Sequence, residues 1–241
     1  MAIYLDSAIP DQARQAMSLG FVRGITTNPV LLAKVKRPAS EVLRELCSTC
    51  PGTVFYQLSA PTVSERLAEG ERILLLNEEM KREDEKALQE WQRSLIEEED
   101  ASFKQFGRIG LKIPACTENM ALVAEFSARG VEVAVTAMFS LSQAYLACEA
   151  GATYVLPYVN RTTRLRGDGL ALVRELAQVC QAVDRGTKVL AASIKSPEEA
   201  VQALLAGAHH VSMPLSVLLA MGHDPLSDQA VADFARAASS A

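Results

Sequence analysis

Aromatic side chains are scarce in this chain, at 5% of its 241 residues, and only one of them is a tryptophan. Histidine is scarcer still: there are three, His209, His210 and His223, with no carboxylate at ligand spacing between the adjacent pair. Polarising a carbonyl through zinc takes more imidazoles than that, so no metal is expected. No GxxxxGK[ST] string occurs, which removes the usual phosphate cradle of a nucleotide enzyme, and no cofactor is expected. No apolar run reaches about 18 residues, so no membrane span is expected. Basic residues number 24 against 29 acidic ones, a formal charge of −5, and nucleic-acid binding, which needs a basic face, is not expected. The opening MAIYLDSAIPD has an acid at position 6 and no basic run, unlike a secretory signal. Five cysteines, an odd number, fit reduced thiols in a cytoplasmic protein. Cys47 and Cys50 form a lone C-x-x-C with no second pair and no nearby histidine, and read as helix residues.

What is present is a 49% hydrophobic chain in which short β-type runs alternate with helical patterns. The candidate strands are Ile3–Asp6, Gly24–Thr27, Thr53–Leu58, Ile109–Ile113, Glu132–Thr136, Thr153–Tyr158, Lys188–Ala191 and His209–Met213. Between them the pattern predicts helices over Pro10–Leu19, Ser40–Cys50, Pro61 to about Lys104, Glu118–Arg129, Leu141–Glu149, Gly169–Val183 and Pro197–Leu205. Gly130, Gly151, Gly186 and Gly207 stand where helix C-termini are expected. Strands apolar on both faces imply a parallel sheet. The turn after Leu5–Asp6 has no glycine, against an open dinucleotide-binding sheet. Eight β–α units point instead to a (β/α)₈ TIM barrel, a single domain over 1–241.

Two segments fall outside the barrel pattern. Asn77–Lys104 holds ten acids against five bases and reads as a charged helical insertion after the third strand. It is either a solvated extension of that helix or a partner-docking arm using Trp91 and Leu95. The tail, Leu226–Ala241, reads as an extra C-terminal amphipathic helix that could reach a neighbouring subunit, so a homo-oligomer is expected.

Reactive groups of such a barrel belong at the carboxyl ends of its strands. Those ends read Asp6, then Thr26-Thr27-Asn28, Gln57, Lys112, Thr136, Tyr158 with Asn160 and Arg161, and Ser193 with Lys195. Lys112 is the only charge within an apolar strand. Burial lowers an amine's pKa and frees it as a nucleophile toward a ketone; pairing with Asp6 for structural reasons is the lesser alternative. Asp6 is correspondingly a salt-bridge partner or a proton-handling carboxylate. Arg161, Ser193 and Lys195, on late loops, suit a phosphate. Tyr158 and Gln57 are rim hydrogen-bonders or holders of a catalytic water.

The strings YLDS (Tyr4–Ser7), GITTNP (Gly24–Pro29), LKIP (Leu111–Pro114), PYVNR (Pro157–Arg161) and LAASIK (Leu190–Lys195) resemble the transaldolase family, and most of all its fructose-6-phosphate aldolase branch. The resemblance implies a metal-free enzyme forming a Schiff base on Lys112, with Asp6 assisting proton transfer and Asn28 orienting a dihydroxyacetone unit. It implies that Gln57, Thr136 and Tyr158 hold a catalytic water, with Tyr158 the main acid/base, and that Arg161, Ser193 and Lys195 hold the substrate phosphate. Thr26 and Asn160 fall inside the matching strings and join the substrate-binding set. Transaldolases proper resemble a different pattern, with Glu at the Gln57 position and Phe at the Tyr158 position. The expected activity is therefore class I aldolase action on fructose 6-phosphate-like ketose phosphates. Transaldolase transfer of the same three-carbon unit is the alternative, and a silent barrel using its acidic arm to bind partners is a third. Leu156 stands where relatives carry a small residue and is expected to reshape the donor pocket.

Overall fold

Each strand here has two faces to bury, and its residues divide accordingly. The computed structural model describes residues 1–94 and 106–239, with side chains described through 89 and again from 106. Strands β1 (Ala2–Asp6), β2 (Val22–Thr26), β3 (Thr53–Gln57), β4 (Arg108–Pro114), β5 (Val133–Met138), β6 (Tyr154–Pro157), β7 (Lys188–Ala191) and β8 (His210–Met213) pair in chain order. All pairings are parallel, and β8 closes on β1 to complete the barrel. Around it run α1 (Pro10–Ser18), α2 (Pro29–Val35), α3 (Ala39–Thr49), α4 (Val63–Ser94), α5 (Met120–Ala128), α6 (Leu141–Glu149), α7 (Val159–Arg166), α8 (Gly169–Val183), α9 (Pro197–Leu205), α10 (Leu215–Ala220) and α11 (Pro225–Ser239). This is a (β/α)₈ TIM barrel. The strands end within two residues of their expected bounds.

Outward-facing Leu5, Ile25, Val54, Leu111, Val135, Val155, Val189 and Val211 pack against the helix ring through residues such as Leu43, Leu46, Phe126 and Leu176. Inward-facing Tyr4, Phe55, Ala134, Leu156 and Leu190 fill the barrel. Large and small residues alternate across that interior. Tyr4 pairs with Gly24 and Phe55 with Gly110 in the strand register. A Cβ on Gly110 would sit 2.6 Å from the Phe55 ring, so glycine there makes room for the phenyl group. Tyr4, Tyr154 and His210 meet edge to face at 5.5 to 6.1 Å and fill the amino-terminal end. The barrel is thus packed rather than a pore.

Helix α4 carries the charged segment as one continuous helix to Ser94. Its outer face pairs Glu79 and Glu83 with Arg44, each at 2.8 Å, exposed ion pairs worth little stability. Asn77 and Met80 belong to the packed part: Asn77 Oδ1 accepts from the Ile109 N–H at 2.8 Å, and Met80 is buried. The side chains of Trp91 and Leu95, suggested as arm contacts, lie outside the described residues. Cys47 ends up inside α3 and Cys50 at its C-cap, both buried. Helix α11 has no buried residue, and Leu226, Val231 and Phe234 stand exposed on it. Among the described residues, no helix is long and apolar enough to cross a membrane.

Three short helices were not foreseen: α2, α7 and α10. Two of them change the site. Asn28 is the N-cap of α2, its side chain accepting from the Leu31 N–H at 3.0 Å, with Pro29 at the first helical position. Asn160 and Arg161, expected on a loop, lie in the first turn of α7.

Candidate active site

At the carboxyl ends of the strands a cavity of about 470 Å³ is lined by Asp6, Thr26, Asn28, Gln57, Lys112, Tyr158, Arg161, Ser193 and Lys195, together with Pro29, Val30, Leu31 and Ala192. Nine of the eleven residues singled out from the sequence thus share one wall. Register explains part of this: Asp6 pairs with Thr26, and Gln57 with Lys112, so the members of each couple stand at one level of the barrel.

Lys112 is 4% exposed. Its Nζ donates to the Thr27 carbonyl oxygen at 2.8 Å. Burial is the larger influence on the amine and drives its pKa down from 10.5 to about 8; the Asp6 carboxylate pulls the other way. Asp6 is itself held by a chain of hydroxyls. Thr26 Oγ1 donates to Asp6 Oδ1 at 2.9 Å, and Ser212 Oγ lies 2.6 Å from Thr26 Oγ1. With the Thr26 proton committed to Asp6, Ser212 is the donor of that second bond.

Tyr158 closes another side. Thr136 Oγ1 donates to its phenol oxygen at 3.2 Å, the Arg161 guanidinium lies 4.7 Å from its ring centroid, and Phe139 meets the ring edge-on at 5.8 Å. Thr136 is fully buried and lies behind the tyrosine, not on the cavity wall. Gln57 lines the cavity, and its Oε1 is buried with no hydrogen-bond partner among the described residues. A buried acceptor without a partner is costly and points to a ligand or water as its mate. Two rim residues, Ala137 and Ser193, hold left-handed backbone at φ 56° and 61°. For non-glycine residues this is strained and clusters at functional sites. At Ala137 it coincides with a slip in the β5–β6 register between Val135 and Met138, after which Met138 pairs with Pro157.

Two expectations are corrected. Asn160 does not reach the cavity: its Nδ2 donates to Glu199 Oε1 at 2.6 Å, while Glu199 Oε2 accepts from the Lys195 N–H at 2.7 Å. Glu199 therefore ties α7 to the loop after β7, and Asn160 supports the rim instead of meeting a ligand. Leu156 does not line the cavity either; it is fully buried in the interior cluster, one pleat below Tyr158.

Sequence reasoning missed Ser212 and Glu69. Ser212 is a polar residue between Val211 and Met213, in a strand whose opening histidine masks the signal. Glu69 accepts from Tyr56 Oη at 2.8 Å and from the Ser59 and Ala60 N–H groups at 2.9 Å each. It fixes the loop that follows Gln57, and its partners are assembled only by folding.

A family model described as transaldolase/fructose-6-phosphate aldolase matches residues 3–241. The chain belongs to the transaldolase/fructose-6-phosphate aldolase family. Relatives named as probable transaldolases include one from Herpetosiphon aurantiacus, 35% identical over 97% of this chain and 93% of its own length. Similar proteins come from Sorangium cellulosum, 32% identical over 97% of this chain and 95% of its own, and Kosmotoga olearia, 31% identical over 97% and 94%. This transaldolase/aldolase family is an enzyme family whose chemistry concerns sugar phosphates, and the cavity carries both an amine and a cationic rim.

Proposed function

We propose that this member of the family is a class I aldolase that cleaves and forms fructose 6-phosphate-like ketose phosphates through an imine on Lys112. The observation that carries the reading is the buried Lys112 amine, with its pKa near 8, in the wall of a cavity shared with a carboxylate, a phenol and two cations. At pH 7 such an amine is neutral in roughly a tenth of molecules, against about three in ten thousand for an ordinary lysine.

In this reading the neutral amine attacks the substrate C2 carbonyl, and loss of water gives a protonated imine. The C4 hydroxyl then gives up its proton, the C3–C4 bond breaks, and its electron pair moves into the imine to form a neutral enamine. Glyceraldehyde 3-phosphate leaves as the aldehyde. Asp6, oriented by the Thr26 hydroxyl, handles protons beside the imine. The Tyr158 phenol, held by Thr136, with a water accepted by Gln57 Oε1, returns a proton to C3. Hydrolysis then frees dihydroxyacetone. Arg161, Ser193 and Lys195 bind the phosphate at the far end, and Asn28 orients the three-carbon unit.

A transaldolase is the second reading, favoured by the names of the relatives. The two differ in what befalls the enamine: protonation releases dihydroxyacetone, whereas shielding preserves it for an aldehyde acceptor. Gln57 and Tyr158 favour protonation. Incubation with fructose 6-phosphate, with and without erythrose 4-phosphate, separates them. Release of free dihydroxyacetone without an acceptor supports the aldolase; turnover only with the acceptor overturns it in favour of the transferase. Sugar phosphates are retained in the cytoplasm, which is the compartment this reading implies for the enzyme. The exposed apolar side chains of α11 suit packing against a second copy, so the working form is a homo-oligomer.

A further inference from the structure

Two cysteines outside the cavity are placed for chemistry of their own. Cys148 lies in the last turn of α6 and Cys180 near the end of α8, and their sulfurs are 3.8 Å apart. Both are free thiols, 0% and 4% exposed. A disulfide needs the sulfurs about 2 Å apart, so closure asks for a modest side-chain rotation and a small approach of helices already packed on each other. Cys180 also lines a groove of about 590 Å³ with Gly186, Thr187, Lys188, Gly207 and His209. Those residues surround the amino-terminal starts of β7 and β8, so the groove opens on the face opposite the candidate active site.

We propose that Cys148 and Cys180 form an oxidative modification site, in which a hydroperoxide converts the two thiols into a disulfide tying α6 to α8. The groove leads the oxidant to the pair, since Cys180 lines it and the Cys148 sulfur is 3.8 Å from that of Cys180. The pair also helps itself: an S–H from one cysteine stabilises the thiolate of the other, drawing Cys148 down to about 7 and holding the remaining proton on Cys180 more tightly. The other thiols lack this help. Burial pushes Cys47 up to about 12 and raises Cys50 and Cys116 as well.

The first thiolate attacks the peroxide oxygen; the O–O bond breaks, and the alcohol or water leaves after taking up the released proton. The sulfur is then a sulfenic acid. The second sulfur attacks it, the S–O bond breaks, and water leaves with the remaining thiol proton. Two thiols and one hydroperoxide thus give one disulfide, one alcohol (or water) and one water, two electrons passing from sulfur to the peroxide. The bond closes a loop between residues 32 apart in sequence, which restricts the unfolded chain. It lies away from the cavity, so turnover is unchanged and resistance to unfolding rises.

The test treats the reduced full-length protein with one equivalent of hydrogen peroxide at neutral pH. Free thiols are then alkylated in denaturant and the peptides mapped without reduction. The expected result is a linked Cys148–Cys180 peptide, reversed by dithiothreitol, with Cys47, Cys50 and Cys116 alkylated. The thermal midpoint of the oxidised protein should exceed that of the reduced protein by about 5–10 °C. Cys180→Ser should lose that peroxide-dependent rise, and the oxidised-against-reduced comparison of the unaltered chain serves if this variant does not fold. Alkylation of both Cys148 and Cys180 after peroxide is consumed, oxidation confined to Cys116 or to Cys47 and Cys50, or a linked peptide with no gain in midpoint would each overturn the proposal.

Discussion

Replacing Lys112 by methionine should make the protein more stable while removing its activity. The lysine is 4% exposed, and its pKa falls from 10.5 to about 8 on folding, chiefly because burial penalises the ammonium. In the range between those two values the unfolded chain binds more protons than the native one, so stability rises with pH there; below pH 8 both states are protonated and the native state carries the full penalty. The difference between the two pKa values corresponds to about 3 kcal/mol at pH 7. Methionine has a similar length and no charge, so it escapes that penalty. It also leaves the Thr27 carbonyl without the Nζ donor, which returns about 1 kcal/mol. The net gain of about 2 kcal/mol should raise the thermal midpoint at pH 7 by roughly 4–8 °C. Differential scanning calorimetry or chemical denaturation at pH 7, 8, 9 and 10 would measure it, and the advantage of Lys112→Met should shrink as pH rises. A variant less stable than the parent at pH 7, or an advantage that does not change with pH, would refute the reasoning that the amine is held at an energetic cost.

Other outcomes follow from the same geometry. Tyr158→Phe keeps the ring packed against Phe139 but removes the phenol that accepts from Thr136, so imine formation should persist while dihydroxyacetone release slows by about 10²-fold or more; product analysis by enzymatic assay would show whether transfer to an aldehyde survives. Arg161→Gln should raise KM for phosphorylated ketoses by about 10–100-fold, the loss expected for a charge-assisted bond to phosphate, while leaving cleavage of non-phosphorylated analogues nearly unaffected; an equal effect on both would remove Arg161 from phosphate binding. Truncation before Pro225 should lower the assembly size on light scattering if α11 packs on a second copy, and an unchanged size would remove α11 from the interface.

The strands and the rim were legible because short runs apolar on both faces and ending in polar residues leave a local signature. Lys112 stood out as one charge in an apolar strand, and its burial confirms that a charged residue there faces an enclosed space. Helix α2 was also within reach, since Asn28 followed by Pro29 is a helix start. Helix α7 was not: it opens without a side-chain cap, contains Val159 with two threonines, and is held by packing on α8 and β7 neighbours. That is why Arg161 was expected on a loop. Asn160 misled for a related reason. The carboxylate that takes its amide, Glu199, is 39 residues away in sequence, and only the closed barrel brings them together. Ser212 follows the same pattern: its partner Thr26 is 186 residues distant, across the seam where β8 meets β1. Local pattern finds the groups that end strands; it does not find the long-range bonds that aim them.

The measurement closest to the central claim is covalent capture at Lys112. The protein is mixed with dihydroxyacetone or fructose 6-phosphate, reduced with borohydride at pH 8, and its peptides are mapped by mass. The account predicts one three-carbon adduct from dihydroxyacetone, on Lys112, absent from Lys112→Met and formed faster as pH rises toward 8. An adduct on another lysine, or none on Lys112 under conditions where the substrate is turned over, would contradict it.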